Sequence, residues 1–208
     1  MELEMSAQPQ HRVTPEEYLA IERAAEYKSW YYDGRMYPMD GQEQGMAGAS
    51  FAHATIIWNL GLELGSSLRK SPCRGTSNEV RVRVPPERLY LYPDIVIVCG
   101  ERRFADDQAD TLLNPTLIIE VLSKSTEAFD RGEKFTMYRR LASLQEYVLV
   151  SQNKAQVEVY RRQPGADQWF FSEKAGLDAS VRFESISCEI LLAEIYRDID
   201  FKDLTLQS

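Results

Sequence analysis

Two runs of apolar and β-branched residues, at positions 92–98 and 116–123, stand out in the hydrophobic pattern. Both runs are short and bounded by turn residues, which is typical of buried strands. Each contains a carboxylate that this pattern does not explain: Asp94 lies where the first run begins, and Glu120 is embedded in the second. Because an ionised group is costly to bury without a partner, we expect the two carboxylates to form a divalent-cation site if the strands are neighbours. The other interpretation of Asp94 is a turn cap after the preceding proline.

Apolar residues at helical spacing predict the helices. The first helix is predicted to begin with a capping box, in which Thr14 is the N-cap and Glu17 follows three residues later. The second is the clearest, and His53 lies on its apolar face, either as a core histidine bonded to the backbone or as a polar group that points into the candidate cleft. This second helix is predicted at positions 50–69, and two more helices are predicted at 125–141 and 190–196.

Alternation and turn signals predict the remaining strands. An Asp-Gly turn indicates a hairpin at positions 31–39. Positions 80–84 alternate strictly, which predicts a half-exposed strand whose Arg81 and Arg83 contact phosphates or simply face solvent. Two further strands are predicted at positions 146–150 and 156–160, and a C-terminal meander at 169–171 and 181–183 is predicted to extend their sheet. The fold class is therefore predicted to be α/β (α+β), a mixed β-sheet with helices packed on it.

Length and composition predict an ordinary globular protein. The 208 residues are 44% hydrophobic and 27% charged, and we expect a flexible tail at 1–12 followed by a single domain at 13–208. No apolar run approaches the roughly 20 residues that span a bilayer, so no membrane association is expected. The first twelve residues contain no apolar segment of a secretory signal.

The three cysteines, Cys73, Cys99 and Cys188, are odd in number and widely spaced. They match neither a zinc pattern nor a disulfide framework, so we expect them to be buried and inert, and the protein to be cytoplasmic.

The net charge of −8 does not favour a nucleic-acid partner, because phosphate neutralisation normally relies on clustered basic residues. It does not exclude one either, since net charge says little about local patches. Composition alone leaves the partner open.

The two carboxylates point to phosphodiester chemistry if a lysine lies near them. Mg²⁺ commonly takes one or two carboxylates together with waters and substrate phosphates, and a lysine would stabilise the developing negative charge. Lys124 follows Glu120 by four residues, and Lys134 lies on the helix predicted next along the chain. Taken alone, Lys134 could equally be a solvated helix lysine.

Three segments carry a resemblance to a known family: YPDIVIVCG at 92–100, NPTLIIEVLSKST at 114–126 and DRGEKFTMYRRLASLQEYVLV at 130–150. Together with the upstream segments YYDGRMYPM, GMAGASFAHATIIWNL and SNEVRVRV, they resemble the Uma-type restriction endonuclease family of the PD-(D/E)XK nuclease superfamily. The resemblance covers nearly the whole chain. It implies a restriction-endonuclease-like core and Mg²⁺-dependent cleavage of phosphodiesters, with Asp94 as the motif aspartate and Glu120 as the acid of the (D/E)XK element.

The chain departs from the family pattern at three places. Leu122 stands where the superfamily lysine is usual, and the resemblance makes Lys134 the replacement, with Lys124 ranked second. Relatives tend to have the pattern KSEYYDGE, whereas Trp30 and Arg35 occupy the places of its two flanking glutamates. If either glutamate supplies an additional acid, catalysis here is weak or absent.

Two functions follow. The first is a metal-dependent endonuclease acting on DNA, with Mg²⁺ or else Mn²⁺ held by Asp94 and Glu120, and with Lys134, Lys124 and His53 as further catalytic candidates. The second is an inactive nuclease scaffold that binds nucleic acid or a partner protein. A homodimer is also expected, because cleavage of a duplex needs two active sites or two visits, and the apolar residues 169–171 are a candidate interface unless they are core.

Overall fold

The computed structural model describes residues 12–39, 50–86, 88–124 and 126–201. The predicted tail at 1–12 lies outside the described residues, apart from Arg12. The helices are α1 (Pro15–Ala24), α2 (Phe51–Leu68), α3 (Glu127–Phe129), α4 (Phe135–Tyr138) and α5 (Leu192–Ile195), with a π-helical turn at Asp130–Lys134 and a 3-10 turn at Glu184–Ile186. The strands are β1 (Ser29–Tyr32), β2 (Arg35–Pro38), β3 (Cys73–Ser77), β4 (Arg81–Val84), β5 (Leu89–Leu91), β6 (Ile95–Cys99), β7 (Thr111–Leu112), β8 (Leu117–Leu122), β9 (Glu146–Ser151), β10 (Gln156–Arg162), β11 (Trp169–Ala175), β12 (Ser180–Phe183) and β13 (Cys188–Leu191).

The two long helices begin at the residues that the sequence predicts. The capping box of α1 is complete: the backbone N of Glu17 donates to Thr14 Oγ1 at 3.2 Å, and the backbone N of Thr14 donates to the Glu17 carboxylate at 2.8 Å. Ser50 caps α2 by accepting a hydrogen bond from the backbone N of His53 at 3.1 Å. The predicted helix at 125–141 is not one regular α-helix, because the π-helical turn separates α3 from α4.

The two carboxylate strands are neighbours. The larger sheet has the order β11-β10-β9-β8-β6-β3, in which β8 and β9 run parallel and the other pairs run antiparallel. Strand β6 pairs with β8 so that Ile95 lies opposite Ile119. This register places Asp94, which directly precedes β6, beside Glu120. The mixed sheet and its helices confirm the predicted fold class.

Strand β8 is buried on both faces. Ile119 and Val121 pack in a core with α2 and the C-terminal elements. Ile118 and Leu122 pack in a second core with α4 and the five-stranded sheet, whose order is β2-β1-β5-β4-β7. Because side chains alternate along a strand, Glu120 faces the second core. This is the side on which the segment carrying Lys134 lies.

The alternation at positions 80–84 predicted a half-exposed strand, but strand β4 is mostly buried. Arg81 is 3% exposed, donates to Thr111 Oγ1 and to the Tyr92 hydroxyl at 3.2 Å each, and forms an ion pair with Asp110. It neither faces solvent nor is free to contact a phosphate, because β4 lies between β5 and β7 inside its sheet.

The predicted C-terminal meander is only half right. Strand β11 extends the large sheet by pairing with β10. Strand β12 instead pairs with β13 in a separate two-stranded sheet, and β13 takes the first two residues of the predicted terminal helix. Side-chain alternation alone does not tell which neighbour a strand selects.

The cysteine prediction is wrong for two of the three residues. Cys73 and Cys99 lie opposite each other in the β3–β6 pair and form a disulfide, whereas Cys188 is a buried free thiol as expected. Disulfides are typical of oxidising compartments, so the cysteine-based reason for a cytoplasmic location is lost and that location stays a prediction. Within the described ranges, no helix is both long and apolar enough to cross a membrane.

Candidate active site

The carboxylates of Asp94 and Glu120 form hydrogen bonds across the two neighbouring strands, each to a backbone N–H of the other segment. Asp94 Oδ2 accepts a hydrogen bond from the backbone N of Val121 at 2.7 Å, and Glu120 Oε2 accepts one from the backbone N of Asp94 at 3.3 Å. The Asp94 side chain is 19% exposed, whereas Glu120 is 2% exposed. The aspartate therefore lies at the entrance of the site, and the glutamate lies at its base.

Lys134 joins this pair from the helical side. Its Nζ lies 2.8 Å from Glu120 Oε2 and 3.1 Å from Asp130 Oδ1, and the side chain is 10% exposed. It is a buried group in the cluster and not the solvated helix lysine that was the alternative. The π-helical turn has Asp130 as its first residue and Lys134 as its last, and such turns are frequent at functional sites.

Asp130 is the site residue that the sequence analysis missed. It is 2% exposed, and its Oδ1 forms an ion pair with Lys134 without the alignment of a hydrogen bond. Its backbone carbonyl accepts a hydrogen bond from the Tyr147 hydroxyl at 2.9 Å, which ties the turn to β9. The signal that could have found it is the four-residue spacing between an acid and a lysine on one helix face.

His53 reaches the same cluster from α2. Its Nε2 lies 3.0 Å from the carbonyl oxygen of Val121 and 3.4 Å from Asp94 Oδ2. Both interpretations of this histidine thus describe part of its position, since it bonds to the backbone and also points at a site carboxylate. Burial favours the neutral ring, but the Asp94 carboxylate outweighs burial and raises the pKa of His53.

Lys124 does not join the cluster. Its side chain is exposed two residues beyond the end of β8. Across the described part of the chain, no hydrogen bond or ion pair joins it to Asp94, Glu120 or Lys134. Of the two candidate lysines, only Lys134 reaches the carboxylates.

Burial and neighbouring acids act against the ionised form of Glu120. Burial raises the pKa of Glu120 to about 8, against the opposing effect of Lys134 and with the repulsion of Asp94 and Asp130. Burial lowers the pKa of Lys134, yet Glu120 and Asp130 outweigh it and raise the pKa of the ammonium. Two basic groups, Lys134 and His53, thus face three acids. A divalent cation bound beside Glu120 would favour its ionised form.

The residues fit a hard divalent cation that brings its own waters. Glu120 Oε1 is buried and has no hydrogen-bond partner among the residues described, and Asp94 next to it is open to solvent. Two carboxylates and several waters are a common Mg²⁺ environment. In the described ranges, no cluster of three or more His, Cys, Asp or Glu side chains is placed to hold a metal by protein groups alone.

The chain is similar over most of its length to two uncharacterized proteins of Synechocystis. It is 33% identical to sll1609 over 82% of this chain and 92% of that protein, and 31% identical to slr1290 over 93% and 96%. A solved structure from Anabaena variabilis, described as a putative nuclease belonging to DUF820, has the same fold. It superposes with a TM-score of 0.68 at 19% identity, covering 88% of this chain and 97% of that chain. The sequence profile of Uma2, described as "Putative restriction endonuclease", matches residues 15–178. The chain therefore belongs to the Uma2 family and has the restriction-endonuclease-like fold.

Proposed function

We propose that this protein is a metal-dependent nuclease that hydrolyses phosphodiester bonds, with DNA as its substrate. The observation that carries the proposal is the 2.8 Å contact between Lys134 Nζ and Glu120 Oε2, on a strand that lies beside Asp94. An acid pair can hold a divalent cation, and an adjacent lysine can stabilise the negative charge that develops when a phosphodiester is hydrolysed. The membership of the chain in a family of nucleases agrees with it.

Asp94 and Glu120 would hold Mg²⁺ or Mn²⁺. When bound, such a cation supplies an activated water and neutralises charge on the phosphate. The remaining roles belong to the chain's own side chains. Lys134 holds a proton at Nζ beside Glu120 and stabilises the negative charge that develops on the phosphate oxygens.

Two further residues position these groups. Asp130 keeps Lys134 protonated, because a carboxylate 3.1 Å from Nζ raises the pKa of the ammonium. His53 faces Asp94 Oδ2 at 3.4 Å, which restrains the carboxylate from the side of α2. The surrounding apolar cores exclude water from Lys134 and Glu120, so their charges act in a medium of low dielectric constant.

A second candidate function is a nuclease scaffold that binds nucleic acid without cleaving it. It is favoured by Trp30 and Arg35, which stand in place of the acids usual in relatives, and by the net charge of −8. The cluster of Asp94, Glu120 and Lys134 counts against it. Buried charges of this kind are costly to keep for packing alone.

The test is cleavage of plasmid and single-stranded DNA with Mg²⁺ or Mn²⁺. We expect cleavage by the wild type, and a loss of at least a hundredfold in Asp94→Asn, Glu120→Gln and Lys134→Met. Lys124→Met is the matched control, since it removes an exposed lysine close in sequence, and it should stay within a fewfold of the wild type. Titration calorimetry with Mn²⁺ reports metal binding without turnover. If no form cleaves and no form binds metal, the scaffold function replaces the nuclease.

We also propose that the protein forms a homodimer. Phe170 and Phe171 are 58% and 49% exposed on β11, which is an edge strand of the large sheet. Two exposed phenylalanines on an edge strand are a candidate contact between copies. Light scattering after gel filtration tests this, with Phe170→Ser and Phe171→Ser expected to give monomers if β11 is the interface.

A further inference from the structure

The β1–β2 hairpin presents one face that is distinct from its core face. Strand pairing places Trp30 opposite Tyr37 and Tyr32 opposite Arg35. Since side chains alternate along a strand, these four residues lie on the same face. The opposite face carries Tyr31, which packs in the core beneath α1.

The four side chains form an aromatic and basic surface, which we call the hairpin face (Trp30, Tyr32, Arg35, Tyr37). The rings of Trp30 and Tyr37 are partly buried and stack with their centroids 4.1 Å apart and an interplanar angle of 14°. Trp30 also packs against the edge of the second core. Tyr32 is 41% exposed, and Arg35 is exposed. Among the ion pairs of the described residues, none involves Arg35.

The hairpin face adjoins the segment that carries the candidate site. The ring of Phe129 in α3 lies 5.3 Å from that of Trp30. Phe129 is directly followed by Asp130, the partner of Lys134. A chain lying on the hairpin face would therefore lie close to the turn that positions the lysine.

The chemistry of this surface suits an unpaired nucleobase. Every base has a π-face, and stacking on an aromatic side chain is the usual way in which proteins hold single-stranded nucleic acid. An exposed arginine beside the rings supplies a cation for a neighbouring phosphate.

We propose that the hairpin face binds single-stranded DNA, with an unpaired base stacked on the aromatic residues and the adjacent phosphate on Arg35. This rests on the proposed nuclease function, because it names the form of DNA that the same site receives. Duplex DNA, whose bases are already stacked, cannot use the hairpin face in this way.

The experiment measures binding and not cleavage. Fluorescence anisotropy in EDTA compares a labelled twelve-nucleotide oligo-dT, an abasic oligonucleotide of the same length and charge, and a duplex. For the wild type we expect the oligo-dT to bind at least tenfold more tightly than the other two. Tyr32→Ala and Trp30→Ala should each weaken oligo-dT binding by about tenfold, which corresponds to the loss of one stacked base, and should leave binding of the abasic strand unchanged.

Three further variants keep the test decisive. Trp30→Phe retains a ring and should retain most of the binding, so a loss of the fold in Trp30→Ala cannot mimic the result. Arg35→Glu reverses the charge at this position and should weaken the binding of both single strands. Trp58→Ala is the matched control, because Trp58 is 68% exposed on α2 and lies off the hairpin face.

Equal binding of oligo-dT and the abasic strand, or unchanged binding in both Tyr32→Ala and Trp30→Ala, would overturn the inference even if the wild type cleaves DNA. Conversely, hairpin-dependent binding of oligo-dT without any cleavage would uphold the inference and leave only the scaffold function. A failure of the proposed hairpin binding can thus be told apart from a failure of the proposed nuclease function.

Discussion

Lys134 Nζ lies 2.8 Å from Glu120 Oε2, although the two residues are on different elements. In the superfamily pattern, the lysine belongs two residues after the acid on the same strand. Here that position is Leu122, which is 3% exposed and packs in the core against α4. The helical segment returns over this core and brings a lysine to the same carboxylate. The lysine beside Glu120 therefore comes from a different element than the one that carries the acid.

Removing this ammonium should destabilise the fold as well as abolish activity. We expect Lys134→Met to lower the free energy of unfolding by about 3 kcal/mol, because it leaves the buried carboxylate of Asp130 without its counter-charge. Urea denaturation at pH 7 measures the loss. Lys124→Met should change the value by less than about 0.5 kcal/mol, as for an ordinary surface position. The double variant Asp130→Asn, Lys134→Met should recover part of the loss, and no recovery would contradict the pairing.

The metal-free protein should lose stability between pH 5 and pH 8. The pKa of Glu120 is raised by burial to about 8, so the folded state binds more protons than the unfolded state over this range. Stability therefore falls as the pH rises. His53 acts in the same direction, because its pKa is also raised and its contribution is lost on deprotonation. Urea denaturation in EDTA measures the slope, which Glu120→Gln should flatten. A wild-type slope of the opposite sign would contradict the burial of this acid.

Bound Mg²⁺ should reverse part of this loss. A cation prefers the ionised form of Glu120, so the stabilisation by 10 mM Mg²⁺ should be larger at pH 8 than at pH 6. Thermal unfolding at the two pH values measures the difference. Asp94→Asn should abolish the Mg²⁺ effect if both carboxylates hold the ion. An effect of equal size at both pH values would indicate that Mg²⁺ binds elsewhere.

Asp110 should matter for stability although it is not one of the residues of the candidate site. It forms ion pairs with Arg23 and with the buried Arg81, and the hydrogen bond from Arg23 lowers its pKa. A lowered pKa means stability that is present above the ordinary pKa of an aspartate and is lost as the pH falls below it. We expect Asp110→Asn to cost about 3 kcal/mol at pH 7, since it leaves a buried guanidinium without its carboxylate. The cost should shrink towards pH 3. Asp107→Asn, an exposed neighbour, is the control.

The Cys73–Cys99 disulfide should stabilise the edge of the large sheet. The two cysteines are 26 residues apart in sequence, and closing a loop of that size contributes about 3 kcal/mol in the chain-entropy account. The double variant Cys73→Ser, Cys99→Ser should therefore have a lower melting temperature than the wild type. Dithiothreitol should also lower the melting temperature of the wild type. Cys188→Ser leaves the disulfide intact. If reductant leaves the wild type unchanged, the disulfide does not form in solution.

The sequence by itself determined the elements that place the acids. Capping residues marked the starts of α1 and α2, and the apolar runs marked β6 and β8 with Asp94 and Glu120 on them. These features depend on neighbours a few residues apart, which is the range over which hydrogen-bonded caps and side-chain alternation act. The family resemblance added the choice of Lys134 over Lys124, which the local pattern left open.

Tertiary structure alone decided the partners of the buried charges. Arg81 is buried because β4 lies between two strands, and Cys73 meets Cys99 because β3 takes the edge beside β6. The turn that carries Asp130 and Lys134 is tied to the large sheet because the Tyr147 hydroxyl on β9 donates to the Asp130 carbonyl. Each of these contacts joins residues on different elements or depends on a departure from regular geometry. Periodicity in the sequence indicates which face of an element is buried, but it does not indicate which charged side chain of a neighbouring element that face contacts.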